Sequence, residues 1–206
     1  MRYGHSFAVL AIASVVLSGC GLIGEGTGSA GGQEEKVNMQ EAADRAEQIL
    51  DNTFAGIKPT VEAMRGPSTE AICPDIKGDA TGAGTIIRRR YVMTIISGER
   101  RGSFLGLVER HWKKNGYEIT SVRDHKERPA IFASTPDGFR VSLQIGYKGM
   151  ARFDATSPCA VESRVTEPPR KPIDPDSEAA KGLPYIRSDF WSASTPLSSP
   201  SPGAKS

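Results

Sequence analysis

The sequence predicts an α+β fold, a two-layer sandwich with helices packed on one face of an antiparallel sheet. The prediction rests on helical periodicity over residues 39–61, a second helical period over residues 103–115, and period-2 alternation from residue 117 to residue 156. The order is therefore helix, strand, helix, then a meander of strands.

The first helix places Ala42, Ala46, Ile49, Leu50, Phe54 and Ile57 at spacings of three and four, which puts them on one face. Asn38 can cap its start, Glu41 stands where a capping box needs an acid, and Pro59 limits its end. After Cys73 comes a glycine-rich stretch, DIKGDATGAG, read as a loop. Residues 85–97 follow, dense in β-branched and aromatic side chains, and predict one strand. Its period-2 set Ile87, Arg89, Tyr91, Met93 and Ile95 includes a charge, so a bulge or an exposed start is expected near Arg88, Arg89 and Arg90.

The second helix carries Phe104, Leu107, Val108, His111 and Trp112 on adjoining turns, with Ser103 as cap and Gly116 as stop. Strands are then expected over residues 117–123, 130–135, 139–147 and 150–156. Pro136-Asp137-Gly138 and Lys148-Gly149 supply turns. In the third of these strands Phe139, Val141, Leu143, Ile145 and Tyr147 alternate with Arg140, Ser142, Gln144 and Gly146. One face is core, and the other is wet or thinly covered.

The folded domain is expected to span residues 38–165, between two ends poor in core-forming residues. Residues 1–19 have the order of a secretory signal: Arg2, a short apolar run over residues 7–17, then small residues. That run is too short to span a bilayer, which takes about 20 apolar residues as a helix. Leu17-Ser18-Gly19-Cys20 resembles the bacterial lipobox, in which the cysteine thiol receives a diacylglyceryl group and the chain is cut just before it. Residues 20–37 then form a lipidated cysteine and a glycine-rich tether. Residues 166–206 are rich in proline, serine and charge, and are expected to be a disordered tail.

With Cys20 lipidated, Cys73 and Cys159 remain as a pair in an oxidising compartment, and a disulfide between them is expected. The alternative is two buried free thiols. Neither His111 nor His125 stands at ligand spacing from a cysteine, so no metal is expected. Nothing calls for a cofactor or for nucleic acid. The glycine pattern over residues 26–31 has dinucleotide-fingerprint spacing, but no strand precedes it. Asp124-His125 cannot orient itself as a triad, and no nucleophile elbow occurs, so no catalytic residue is assigned.

The formal net charge is +2 from 26 basic and 24 acidic side chains, which selects no partner. Its distribution is uneven: acids dominate residues 34–70, and residues 88–128 are basic. The basic region can meet anionic lipid or polymer, or the two regions can face each other or be simply solvated. Candidate binding residues are Arg88, Arg89, Arg90, Trp112 and Trp191. Trp112 also suits the core, and Trp191, alone with Phe190 in the tail, suits an anchor for the domain or for a partner.

The lipobox, the glycine tether, the Cys73 to Cys159 spacing and Ser157-Pro158-Cys159 resemble the small lipoproteins of unassigned function common in actinobacteria. The resemblance extends to about Val161, and only the lipobox within it is a specific motif. It implies an outward-facing domain on the plasma membrane and implies no activity. The expected function is a noncatalytic binding or adaptor domain, held to the membrane through lipid on Cys20. An envelope protein or anionic polymer would meet one sheet face or the basic strand. The alternative is a small-molecule or lipid carrier with a pocket between sheet and helices.

Overall fold

In a computed structural model of the chain, the described residues are 37–170, 173, 174, 176, 177, 179–181 and 183–195. The segment read as an export signal, Cys20, all but the last residue of the expected tether, and residues 196–206 lie outside them.

The first helix, α1 (Met39–Ala55), begins with a complete capping box. The Asn38 side chain accepts from the Gln40 and Glu41 N–H groups, and the Glu41 carboxylate accepts from the Asn38 N–H. Two short strands absent from the sequence reading follow, β1 (Ala63–Arg65) and β2 (Thr69–Pro74). Next comes β3 (Ala80–Val92), which takes in the second half of the predicted glycine-rich loop. That stretch is extended because it pairs with β2, and the turn between them is residues 75–79, held by Asp75, whose Oδ1 accepts from the Lys77 and Asp79 N–H groups. Within it, a Cβ on Gly84 would stand 2.8 Å from Met39 Sδ and 3.0 Å from the Ala71 carbonyl, so glycine lets the start of α1 approach β3.

The remaining elements are α2 (Gly98–Lys114), β4 (Glu118–Arg123), β5 (Ala130–Ser134), β6 (Arg140–Ile145), a 3-10 turn (Tyr147–Gly149), β7 (Ala151–Thr156) and β8 (Ala160–Val161). The eight strands form one antiparallel sheet in the order β1-β3-β7-β6-β5-β4, with β2 and β8 also on β3. Phe54 of α1 and Phe104 of α2 both pack on Phe153 of β7, with ring centroids 4.9 and 6.2 Å away. Both helices therefore cover the same sheet face, and the fold is the α+β sandwich expected. The space between the layers, where a carrier's pocket is expected, is filled by Ile86, Phe104, Trp112, Leu143 and Phe153.

The basic strand departs from its expected role. The core face of β3 carries Ile86, Arg88, Arg90 and Val92, while Ile87, Arg89 and Tyr91 lie on the other side. No bulge relieves these charges, since the register with β7 runs unbroken from Ile87 to Val92. Glu47 of α1 relieves them instead: its carboxylate lies 2.5 Å from Arg90, 3.2 Å from Arg65 and 3.8 Å from Arg88. Asp51 adds a second contact to Arg90 at 2.8 Å. Arg88, only 2% exposed, also donates to the Ser68 hydroxyl and the Thr166 carbonyl. Here the acidic and basic regions face each other.

Replacing Glu47 with Ala is expected to lower the unfolding free energy by about 3 kcal/mol, because removing one partner strands a buried charge. Urea denaturation measures it, and an unchanged midpoint would show that Ser68, Thr166 and Asp51 satisfy the arginines unaided.

The tail is the second correction. Residues 183–195 pack on the domain: Ile95 N–H donates to the Ile186 carbonyl, and Ile186 N–H to that of Met93. Trp191 is 1% exposed and donates its indole N–H to the Pro59 carbonyl at 2.7 Å. The predicted strand over residues 85–97 therefore leaves the sheet after Val92 and pairs with the tail. The tail also moves the start of α2 forward from Ser103 to Gly98. Ser97 N–H donates to the Trp191 carbonyl, the Ser97 hydroxyl to Ala193, and Arg100 Nε to Phe190. Composition predicted disorder because serine and proline outnumber the anchors, yet Phe190 and Trp191 bury enough apolar surface to order their neighbours.

Candidate anion-binding sheet face

The sheet face turned away from the helices takes alternate residues of each strand. Pairing registers set one row across it as Tyr91, Arg152, Gln144, Ala130 and Arg123. The next row is Arg89, Asp154, Ser142, Phe132 and Ser121, and a third is Ile87, Thr156, Arg140, Ser134 and Glu118. Strand pairing alone thus gathers four arginines on one surface against Asp154 and Glu118.

Asp154 sits between two of these arginines. Arg89 Nε donates to Asp154 Oδ1 at 2.6 Å, and Arg152 Nε lies 3.1 Å from Oδ2 as an ion pair without hydrogen-bond alignment. Burial works against the charge on Arg89, and the hydrogen bond and charge of Asp154 outweigh it, holding the guanidinium above its ordinary pKa. Arg89 is therefore committed to Asp154.

The first row opens into a cavity of about 380 Å³ lined by Arg123, His125, Arg128, Gln144, Met150 and Arg152, with Ile145 and Gly146. Ala130, between Gln144 and Arg123 in the row, is fully buried. Three guanidinium groups and no carboxylate line the space.

The loop bearing His125 and Arg128 is held on three sides. Arg123 Nε donates to the Arg128 carbonyl at 2.8 Å, Arg101 of α2 to the Glu127 carbonyl at 3.1 Å, and Ile145 N–H to the Pro129 carbonyl at 2.9 Å. His125 Nδ1 accepts from the Glu127 and Arg128 N–H groups at 3.2 and 3.1 Å. The neutral ring therefore carries its proton on Nε2, a donor. The Arg128 guanidinium has no hydrogen bond or ion pair among the described residues.

No family model matches the chain, and no curated protein matches it. Among solved structures, the chain is weakly similar to a DUF4853 family protein from Actinomyces odontolyticus ATCC 17982. The identity is 14% and the TM-score 0.38, with 68% of this chain and 75% of that chain covered.

Of the residues singled out from sequence, only Arg89 reaches this face. Arg88 and Arg90 point to α1, as above. Trp112 is a core residue, 1% exposed, donating its indole N–H to the Thr53 hydroxyl at 3.0 Å. Trp191 is buried too, so neither tryptophan is available for ligand stacking. His111 bonds Asn52 of α1 at 2.8 Å. Cys73 and Cys159 form a disulfide, and Cys20 lies outside the described residues. No described helix is long and apolar enough to cross a membrane. Among the described residues, no group of three histidine, cysteine or acidic side chains could hold a metal.

Arg123, Arg128, Arg152 and Gln144 are not among the candidates named from sequence, and His125 is considered there only for a triad or a metal and assigned neither role. Their signal was present in the alternation of β6, whose polar side was read as wet. Stacking the meander strands in register would have aligned Gln144 with Arg152 and Ala130. A larger groove of about 550 Å³ between β1 and the tail is lined by both signs of charge, Glu62 and Asp174 with Arg65, Arg90 and Arg170, so it selects no ligand charge.

Proposed function

We propose that the protein is a noncatalytic binding domain, lipid-anchored through Cys20 on the outer side of the cell membrane, whose open sheet face takes an anionic partner in the envelope. The anchoring part draws on the lipobox and the apolar segment before it. The binding part draws on one observation, the cavity on the open face lined by three guanidinium groups and no carboxylate. A carrier is less well supported, because core side chains occupy the space between sheet and helices.

In-cell photo-crosslinking tests the reading, with probes at Ser121 and Arg140 on the open face and a control probe at exposed Asp44 of α1. An anionic polymer or a single acidic envelope protein should be captured from the first two positions and not from the third. Equal capture from all three positions, or none, would sink the proposal.

A further inference from the structure

We infer that the cavity between β4, β6 and β7 binds a phosphate group, borne by a phosphodiester or phosphomonoester. This rests on the binding reading above and narrows its ligand chemistry.

The donor set selects the anion. A planar carboxylate is satisfied by one guanidinium fork, whereas a phosphate presents more terminal oxygens and up to two negative charges. Arg123, Arg128 and Arg152 line one space, more cationic donors than a single carboxylate can use. Asp154 offsets part of the charge on Arg152, and Arg123 retains its terminal nitrogens because only Nε is engaged with the Arg128 carbonyl. Arg128 is without a partner among the described residues, so a ligand oxygen would be its first counter-charge.

His125 adds a directed donor. With Nδ1 filled by two backbone N–H groups, Nε2 is the nitrogen left to offer a proton to a ligand oxygen. The bonds from Arg123 and Arg101 hold this loop in place before a ligand arrives, which reduces the ordering that binding requires. Met150 gives an apolar contact, suited to the carbon skeleton beside a phosphate ester.

The test uses the chain from position 20 onward with Cys20→Ser, titrated with inorganic phosphate at constant ionic strength and followed by amide chemical shifts. Saturable shifts are expected at Glu127, Arg128 and Gly146, at lower concentration than with acetate. Arg128→Gln should weaken binding about tenfold, the loss expected for one charge-assisted contact. Arg123→Gln should weaken it at least as much, and Arg110→Gln, exposed on α2 in the other layer, should leave it unchanged. Since the Arg128 side chain is exposed and makes no hydrogen bond or ion pair among the described residues, its replacement is expected to leave the fold intact.

Vesicles of phosphatidylglycerol and of phosphatidylcholine distinguish the source. Flotation with the first, competed by inorganic phosphate, identifies a lipid headgroup; phosphate binding without flotation identifies a soluble or polymer-borne phosphate. Non-saturable shifts, acetate binding as well as phosphate, or an unaffected Arg128→Gln variant would overturn the inference. If those failures came while crosslinks from the open face persisted, the binding reading would stand and only the phosphate assignment would fall.

Discussion

Trp191→Ala is expected to lower the unfolding free energy by about 3 to 5 kcal/mol, the range for emptying a large aromatic site in a core. Trp191 packs edge-on against Phe104, with centroids 5.1 Å apart, and against Phe190, at 4.8 Å. The substitution leaves the Pro59 carbonyl without its indole donor. It also loosens the backbone bonds that connect the tail to Met93, Ile95 and Ser97. Trp191→Phe separates these contributions: it retains most of the apolar contact and should lose only about 1 to 2 kcal/mol for the unpaired carbonyl. Urea denaturation of both variants checks the ranking. A midpoint for Trp191→Ala equal to that of the parent would mean the tail is an ornament on a domain already complete at residue 165.

Replacing both Cys73 and Cys159 with Ser is expected to lower stability by about 4 kcal/mol. The bridge joins residues 86 apart, and the chain-entropy model gives roughly this value for so long a loop. The strands it joins lie on opposite edges of β3: β2 carries Cys73, and Cys159 immediately precedes β8. The bridge thus closes the glycine-rich half of β3, where Gly82 and Gly84 supply no side chains to the core. Because the unreduced unfolded chain is more compact, the double variant should also show a steeper denaturant dependence. An unchanged midpoint with an unchanged slope would show that β-pairing and the Gly84 contact with Met39 hold this end without the crosslink.

Legibility followed the range of the physics. The capping box of α1, the alternation of β6 and the turn at Pro136-Asp137-Gly138 are local, and each appears in the structure where the sequence reading placed it. The larger departures are places where a distant residue decided the outcome. The glycine-rich stretch became strand because β2, itself too polar and exposed to be recognised, came to pair with it. Arg88 and Arg90 turned inward because Glu47, on the other layer, accepted them. The start of α2 moved because Trp191 and Ala193 returned from the far end of the chain to engage Ser97.

The cavity shows the same division. Arg123, Gln144 and Arg152 are unremarkable polar positions on separate strands, and no spacing in sequence links them. Antiparallel pairing puts them in one row with Ala130 between, and a loop held by Arg101 brings His125 and Arg128 over it.

The sequence by itself determined the fold class, the two helices, the meander and the cysteine pair left after Cys20, because side-chain periodicity and parity are properties of neighbouring positions or of simple counts. Only the tertiary structure decided which arginines are buried and which face outward, and that the tail completes the core. Those outcomes depend on burial and on charge pairing between layers, and both are defined only once residues far apart in the chain have been brought together.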